Sequence, residues 1–176
     1  MAISRLNHAV LYVRDVARSV AFYRDVLGFR VQVEIPGGRG AFLQAPDSTN
    51  DHDVAFFGIG SAAGASQAGL STVGLYHLAW EVQTLDDLAD YQARLGDAGA
   101  LVGASDHGTT KSLYAHDPDG LEFEVVWIVP AHLLDEAAVD QGRRQTLPLD
   151  LAREKARYGG GTRGGLGISV PLGVSV

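Results

Sequence analysis

The chain has 176 residues, 46% hydrophobic and 20% charged, which fits one medium globular domain or two small units sharing a core. A formal net charge of −7 leaves no basic face for phosphates, which excludes nucleic acid, and no apolar run approaches the ~20 residues of a membrane span. With no cysteine there is neither disulfide nor thiolate, so any bound metal must use nitrogen and oxygen ligands.

The first element is LNHAVLYV, Leu6 to Val13, an alternating run with His8 near its head. Arg14 and Asp15 interrupt it before any signal-peptide core develops, so the protein reads as cytoplasmic. In the following Arg14 to Gly28 stretch, Val16, Val20, Phe22, Tyr23, Val26 and Leu27 recur near helical spacing, and Gly28 suits the helix stop. Three short runs then predict strands at Phe29 to Ile35, Gly40 to Pro46 and His52 to Ile59. Turn residues Pro36-Gly37-Gly38 and Pro46-Asp47-Ser48 part them.

After a small, polar linker, Ser61 to Val73, the same order returns. GLYHLAWEV, Gly74 to Val82, is a strand with His77 inside it. Gln83 to Gly99 is a helix with Leu85, Leu88, Ala89, Gln92 and Leu95 as its stripe, Thr84 as cap and Gly99 as stop. Strands follow at Ala100 to Ser105, Lys111 to His116 and Leu121 to Val129, the last two parted by Asp117-Pro118-Asp119-Gly120. A βαβββ unit is therefore written twice, over residues 3–60 and 74–129, each of about 55–60 residues, a length at which one unit alone has a marginal core. The fold class is α+β: paired βαβββ modules forming a curved, partly open β cup with helices outside.

Residues 130–176 form a C-terminal tail. AHLLDEAAVDQG and PLDLAREKARYGG each suit a short helix. GGGTRGGLG, Gly159 to Gly167, lacks the strand and the Gly-Lys-Ser/Thr ending of a phosphate loop, so it reads as a flexible or extended segment without chemistry.

Side chains alternate faces along a strand. His8, Val10 and Tyr12 share one face of the first strand; His77, Ala79 and Glu81 share one face of the fifth; Glu122, Glu124 and Val126 share one face of the last. If the sheets curve around a common cavity, two imidazoles and a carboxylate converge, the ligand set of a mononuclear Fe(II) site with open positions, where Mn(II) can substitute. Taken singly, each His reads as a buried, hydrogen-bonded strand residue and each Glu as a solvated one. Matching positions in a repeated unit favour function for His8 and His77 together.

The doubled unit and the phrases NHAVLYVRD, AFYRDVLGF, YHLAWEV and HDPDGLEFEV resemble the vicinal oxygen chelate superfamily of glyoxalases, bleomycin-resistance proteins and extradiol dioxygenases, over Ile3 to Val129. Within it, HDVAFFG, GLYHLAWEV and DHGTTKSLYAHDPDGLEFEVVW look most like catechol 2,3-dioxygenase-type enzymes. The resemblance implies metal ligands His8, His77 and Glu124, the last chosen over Glu122 because it lies four residues after the Gly of DPDG. It also implies His52 as an acid–base, and His107 and Tyr114 as hydrogen-bonding groups around the substrate. The implied reaction is cleavage of a small aromatic diol by O2 at Fe(II), with Mn(II) as an alternative ion, in a homo-oligomer. Two rival readings remain. A glyoxalase-like isomerase or epimerase would normally take a fourth ligand from the first unit's last strand, where HDVAFFGI has no Glu. A metal-free bleomycin-resistance-type binder would have no use for the three ligands. Phe42, Phe57 and Tyr12 are candidates for lining the substrate cavity, while His116 and His132 match no motif and read as surface.

Overall fold

The computed structural model describes Ile3 and residues 5–165. Its elements fall into two compact units, one made of the described residues up to Gln67 together with Asp117–Leu121, the other of Ala68–His116 and the described residues from Glu122 to Gly165.

The first unit opens with β1 (Ala9–Val13), where Leu11 and Val13 are buried and Val10 and Tyr12 are exposed, as the alternation requires. Helix α1 (Val16–Asp25) follows. Asp15 caps it by accepting from the Arg18 N–H, and Val16, Val20 and Tyr23 point into the core. Gly28, at φ 78°, ends the helix while the Phe29 N–H closes back on the Tyr23 carbonyl at 3.0 Å, a stop that needs a left-handed residue. Strands β2 (Arg30–Ile35), β3 (Gly40–Gln44) and β4 (Val54–Gly58) complete an open sheet in the order β1-β4-β3-β2, with β1 and β4 parallel. Tyr23 packs edge-on against Phe29 and Phe56, centroids 5.5 and 4.8 Å away, and anchors helix to sheet.

The second unit repeats this plan with β5 (His77–Glu81), α2 (Leu85–Asp97), β6 (Leu101–Asp106), β7 (Thr110–His116) and β8 (Glu122–Ile128). Thr84 and Asp87 form a reciprocal capping box at the start of α2, and Leu85, Leu88 and Leu95 are fully buried. Burying each such leucine is worth roughly 1.5–3 kcal/mol. Both units carry a bulge at the same place, between Val31 and Val33 and between Leu101 and Gly103.

From Pro130 to Gly165 the chain is integral to the second unit. A 3-10 turn (Ala131–Leu133) leads to α3 (Glu136–Arg144), β9 (Leu147–Pro148) and α4 (Leu151–Tyr158). Strand β9 becomes the fifth strand, giving the order β5-β8-β7-β6-β9, and α4 packs on α2. The glycine-rich stretch begins with a turn, the Thr162 N–H donating to the Gly159 carbonyl, and is bonded to the body as far as it is described: the Gly160 carbonyl accepts from Asp86, the Thr162 carbonyl from the Trp127 indole, and the Gly164 N–H donates to Gln83. Leu166 and Gly167, which end that run, and the residues after them lie outside the described residues. Among the described residues no helix is long and apolar enough to cross a membrane.

Beneath α4 lies a buried ion cluster. Lys111, fully buried, meets the Asp106 carboxylate, the Glu154 carboxylate at 3.1 Å and the Gly108 carbonyl at 3.1 Å. Arg153 bonds both carboxylates from the solvent side. Burial favours the neutral form of Asp106, but the bonds from Lys111 and Gly108 outweigh it and hold its pKa below the usual carboxylate value.

Candidate functional site

The parallel pairing of β5 with β8 sets His77 opposite Glu122 and Ala79 opposite Glu124. Because Glu122 and Glu124 point to one face, the His77 ring stands between two carboxylates. Its Nε2 is 3.3 Å from Glu124 Oε2 and its Nδ1 is 3.5 Å from Glu122 Oε1. Phe123, Val125 and Trp127 fill the opposite, buried face of β8.

Antiparallel pairing places Tyr114 of β7 across from Glu124. Its ring lies 5.9 Å from that of His77, and its hydroxyl is 2.9 Å from His107 Nε2. Burial first, and then the Glu124 charge, raise the pKa of the Tyr114 phenol, so it stays protonated near neutral pH. His107 follows β6 directly and reaches Tyr114 from the β6–β7 turn. On its other side His107 Nδ1 is 3.1 Å from Thr146 Oγ1. A neutral imidazole that accepts at one nitrogen donates at the other, so Thr146 and Tyr114 jointly set its tautomer.

The first unit assembles an imidazole pair. His8, just ahead of β1, and His52, just ahead of β4, have ring centroids 4.4 Å apart. His8 Nδ1 is held at 2.8 Å by Asn7, and His52 Nδ1 at 2.8 Å by Asp51. That bond to His52 draws the Asp51 carboxyl below its ordinary pKa. The Phe42 ring closes on His52 at 5.1 Å and on Phe57 at 6.1 Å, while His52 Nε2 is buried without a hydrogen-bond partner. Tyr12 is exposed, as are His116 and His132.

The same unit holds a telling difference. Continuing the β1–β4 register back from Ala9–Val54 pairs His8 with Asp53, so Asp53 takes the place of Glu122 and Ala55 that of Glu124. The Asp53 carboxylate is already committed to the Ala45 N–H, the Ser48 hydroxyl and the Asn50 amide. Ala55 offers no ligand atom.

Of the three expected metal ligands, His77 and Glu124 come together in the second unit and His8 belongs to the first; among the described residues no three His, Asp or Glu side chains form a group that holds a metal ion. The pair itself suits a divalent cation. Its 3.3 Å separation is near the ~3 Å between adjacent oxygen or nitrogen ligands on an octahedral ion with ~2.1 Å bonds, and Glu122 adds a second negative charge. Thr146 and Gly142 belong to no motif legible in the sequence. A Cβ on Gly142 would strike the His107 carbonyl, so this glycine lets α3 approach the loop that carries His107. A glycine inside an otherwise polar helical stretch was the available signal.

Residues 5–125 match the family model "Glyoxalase/Bleomycin resistance protein/Dioxygenase superfamily". The chain belongs to that superfamily. Biphenyl-2,3-diol 1,2-dioxygenase 3 of Rhodococcus globerulus is 38% identical over 117 residues, 66% of this chain and 59% of that protein. Catechol-2,3-dioxygenase of Bacillus subtilis is 29% identical over 69% of this chain and 41% of its own length. The chain thus spans about half the length of these two dioxygenases. A lactoylglutathione lyase of Neisseria meningitidis is also 29% identical, over 69% of this chain and 89% of that protein. A glyoxylase/bleomycin resistance protein/dioxygenase domain from Frankia sp. EAN1pec shares the fold, with a TM-score of 0.64 and 23% identity over 76% of this chain and 98% of that one.

Proposed function

We propose that this superfamily member is an extradiol dioxygenase that opens a small aromatic vicinal diol with O2, using His77 and Glu124 of the second unit to hold Fe(II), with Mn(II) as the alternative ion. The observation that carries the reading is the second unit's chain of polar groups: His77 beside Glu124 at 3.3 Å, and Tyr114, opposite Glu124, bonded to His107 at 2.9 Å. Similarity to two enzymes named as diol and catechol dioxygenases supports it. When bound, the ion would supply a positive centre that favours ionisation of the diol and polarises the reacting oxygens.

The protein's own groups handle protons and orientation. Tyr114, held as a phenol, donates a hydrogen bond to a diol oxygen as its charge develops. His107 supports that hydroxyl and fixes its direction. His52, with Nδ1 tied to Asp51 and Nε2 free of protein partners, is the first unit's candidate acid–base. Phe42 gives the imidazole an apolar wall.

The isomerase or lyase reading has the similarity to lactoylglutathione lyase in its favour. Against it stands Ala55, where a fourth ligand would be required. The test is anaerobic loading with Fe(II), then biphenyl-2,3-diol and a panel of catechols with O2. The expected result is one O2 consumed per diol; no uptake across the panel would contradict the proposal.

A further inference from the structure

The ring of His77 raises a question that its ligand role leaves open. Two carboxylates flank it, one at each nitrogen, and only one of them sits where the family's ligand glutamate lies. Glu122 Oε1 and His77 Nδ1 are both buried and both lack a hydrogen-bond partner, yet they face each other across 3.5 Å. Two unsatisfied polar atoms in one buried spot each cost about 1–3 kcal/mol unless they satisfy one another. The strand register leaves them little choice. His77 and Glu122 are direct partners in the β5–β8 ladder, and the backbone positions of both are fixed by its hydrogen bonds.

We infer that Glu122 is the positioning residue for His77: its carboxylate accepts the Nδ1–H, which fixes the tautomer and leaves the Nε2 lone pair facing Glu124 and the cation. A metal-bound histidine generally gives its second N–H to an outer carboxylate, which raises its basicity and locks its plane. The first unit lacks this device. At the matching place Asp53 bonds Ala45, Ser48 and Asn50, and His8 Nδ1 is held by the neutral Asn7 side chain instead. The two histidines are therefore oriented by different groups, a charged one for His77 and an amide for His8.

This inference rests on the proposed metal site, and the experiment separates the two. Mn(II) is titrated into metal-free wild-type protein and into E122Q, E122L and E124A, with free Mn(II) read by electron paramagnetic resonance. In parallel the His77 tautomer is read in the metal-free proteins from 15N imidazole shifts. The wild type should bind one Mn(II) and show the Nδ1–H form. E122L should lose about 10–100-fold in affinity and lose the Nδ1–H preference. E122Q keeps an oxygen acceptor and should restore both, while circular dichroism reports that each variant folds. Unchanged affinity in E122L, or an Nε2–H form in the wild type, overturns the role of Glu122 and leaves the metal site standing. A loss in E122Q as complete as in E124A also overturns it, because Glu122 would then be a ligand. No Mn(II) uptake by the wild type removes the site and this inference with it.

Discussion

The two units share one plan and differ in what their last strands carry. In the second, β8 puts Glu122 and Glu124 on the face beside His77, and β7 adds Tyr114. In the first, the matching β4 positions are Asp53, whose carboxylate ties down the Ala45–Asn50 turn, and Ala55. The first unit instead holds a pair of imidazoles against an aromatic wall. Duplication thus repeats the backbone plan, while substitutions at equivalent positions leave two carboxylates beside the strand-opening histidine in one unit and tie the single carboxylate into a turn in the other.

The sharpest way to break that division is to remove the second unit's carboxylate. Glu124→Ala should abolish Mn(II) retention and O2 uptake, exceeding the about 100-fold loss typical of an outer partner; equilibrium dialysis measures it. Next comes the tail that only the second unit possesses. Lys111→Met removes the buried cation between Asp106 and Glu154, leaving them only Arg153 on the solvent side, and should cost about 3–5 kcal/mol in urea unfolding. Tyr114→Phe tests the proton-handling arm: kcat should fall about 10²–10³-fold with little change in metal affinity. In the first unit, Asp53→Ala should cost about 1–3 kcal/mol of stability and leave Mn(II) affinity unchanged, the opposite signature to Glu124→Ala.

The smallest effect concerns the Asp117–Leu121 turn. Burial pushes the Asp119 carboxyl up, but hydrogen bonds from Arg14 and the charges of Arg14 and Arg18 outweigh it and hold its pKa below normal. A depressed carboxylate pKa stabilises the fold above the unfolded-state value of about 4 and loses that contribution as pH falls through the native value. Asp119→Asn should therefore cost about 1 kcal/mol at pH 7 and show a flatter loss of stability below about pH 4; thermal melts across that range check it.

Periodicity along the sequence revealed the doubled βαβββ order because each helix stripe and each strand alternation buries its own face, as Leu85, Leu88 and Leu95 do. His8 and His77 stood out because they open matching strands. The Tyr114–His107 bond and the Glu122 contact were not legible, since they depend on which strands pair and in what register, information held by contacts far apart in sequence. The fate of the tail was hidden for the same reason. Helical spacing announced α3 and α4, but nothing local said that β9 would extend the sheet or that Lys111 would accept a carboxylate from Glu154 as its neighbour.

One measurement bears on the central claim most directly: oxygen-electrode recording of anaerobically Fe(II)-loaded protein mixed with biphenyl-2,3-diol, with product absorbance followed alongside. The account predicts Fe(II)-dependent uptake of one O2 per diol with appearance of a ring-opened product, lost in both His77→Ala and Glu124→Ala. Stoichiometric Fe(II) binding with no O2 consumed for this diol or any catechol tested would contradict it.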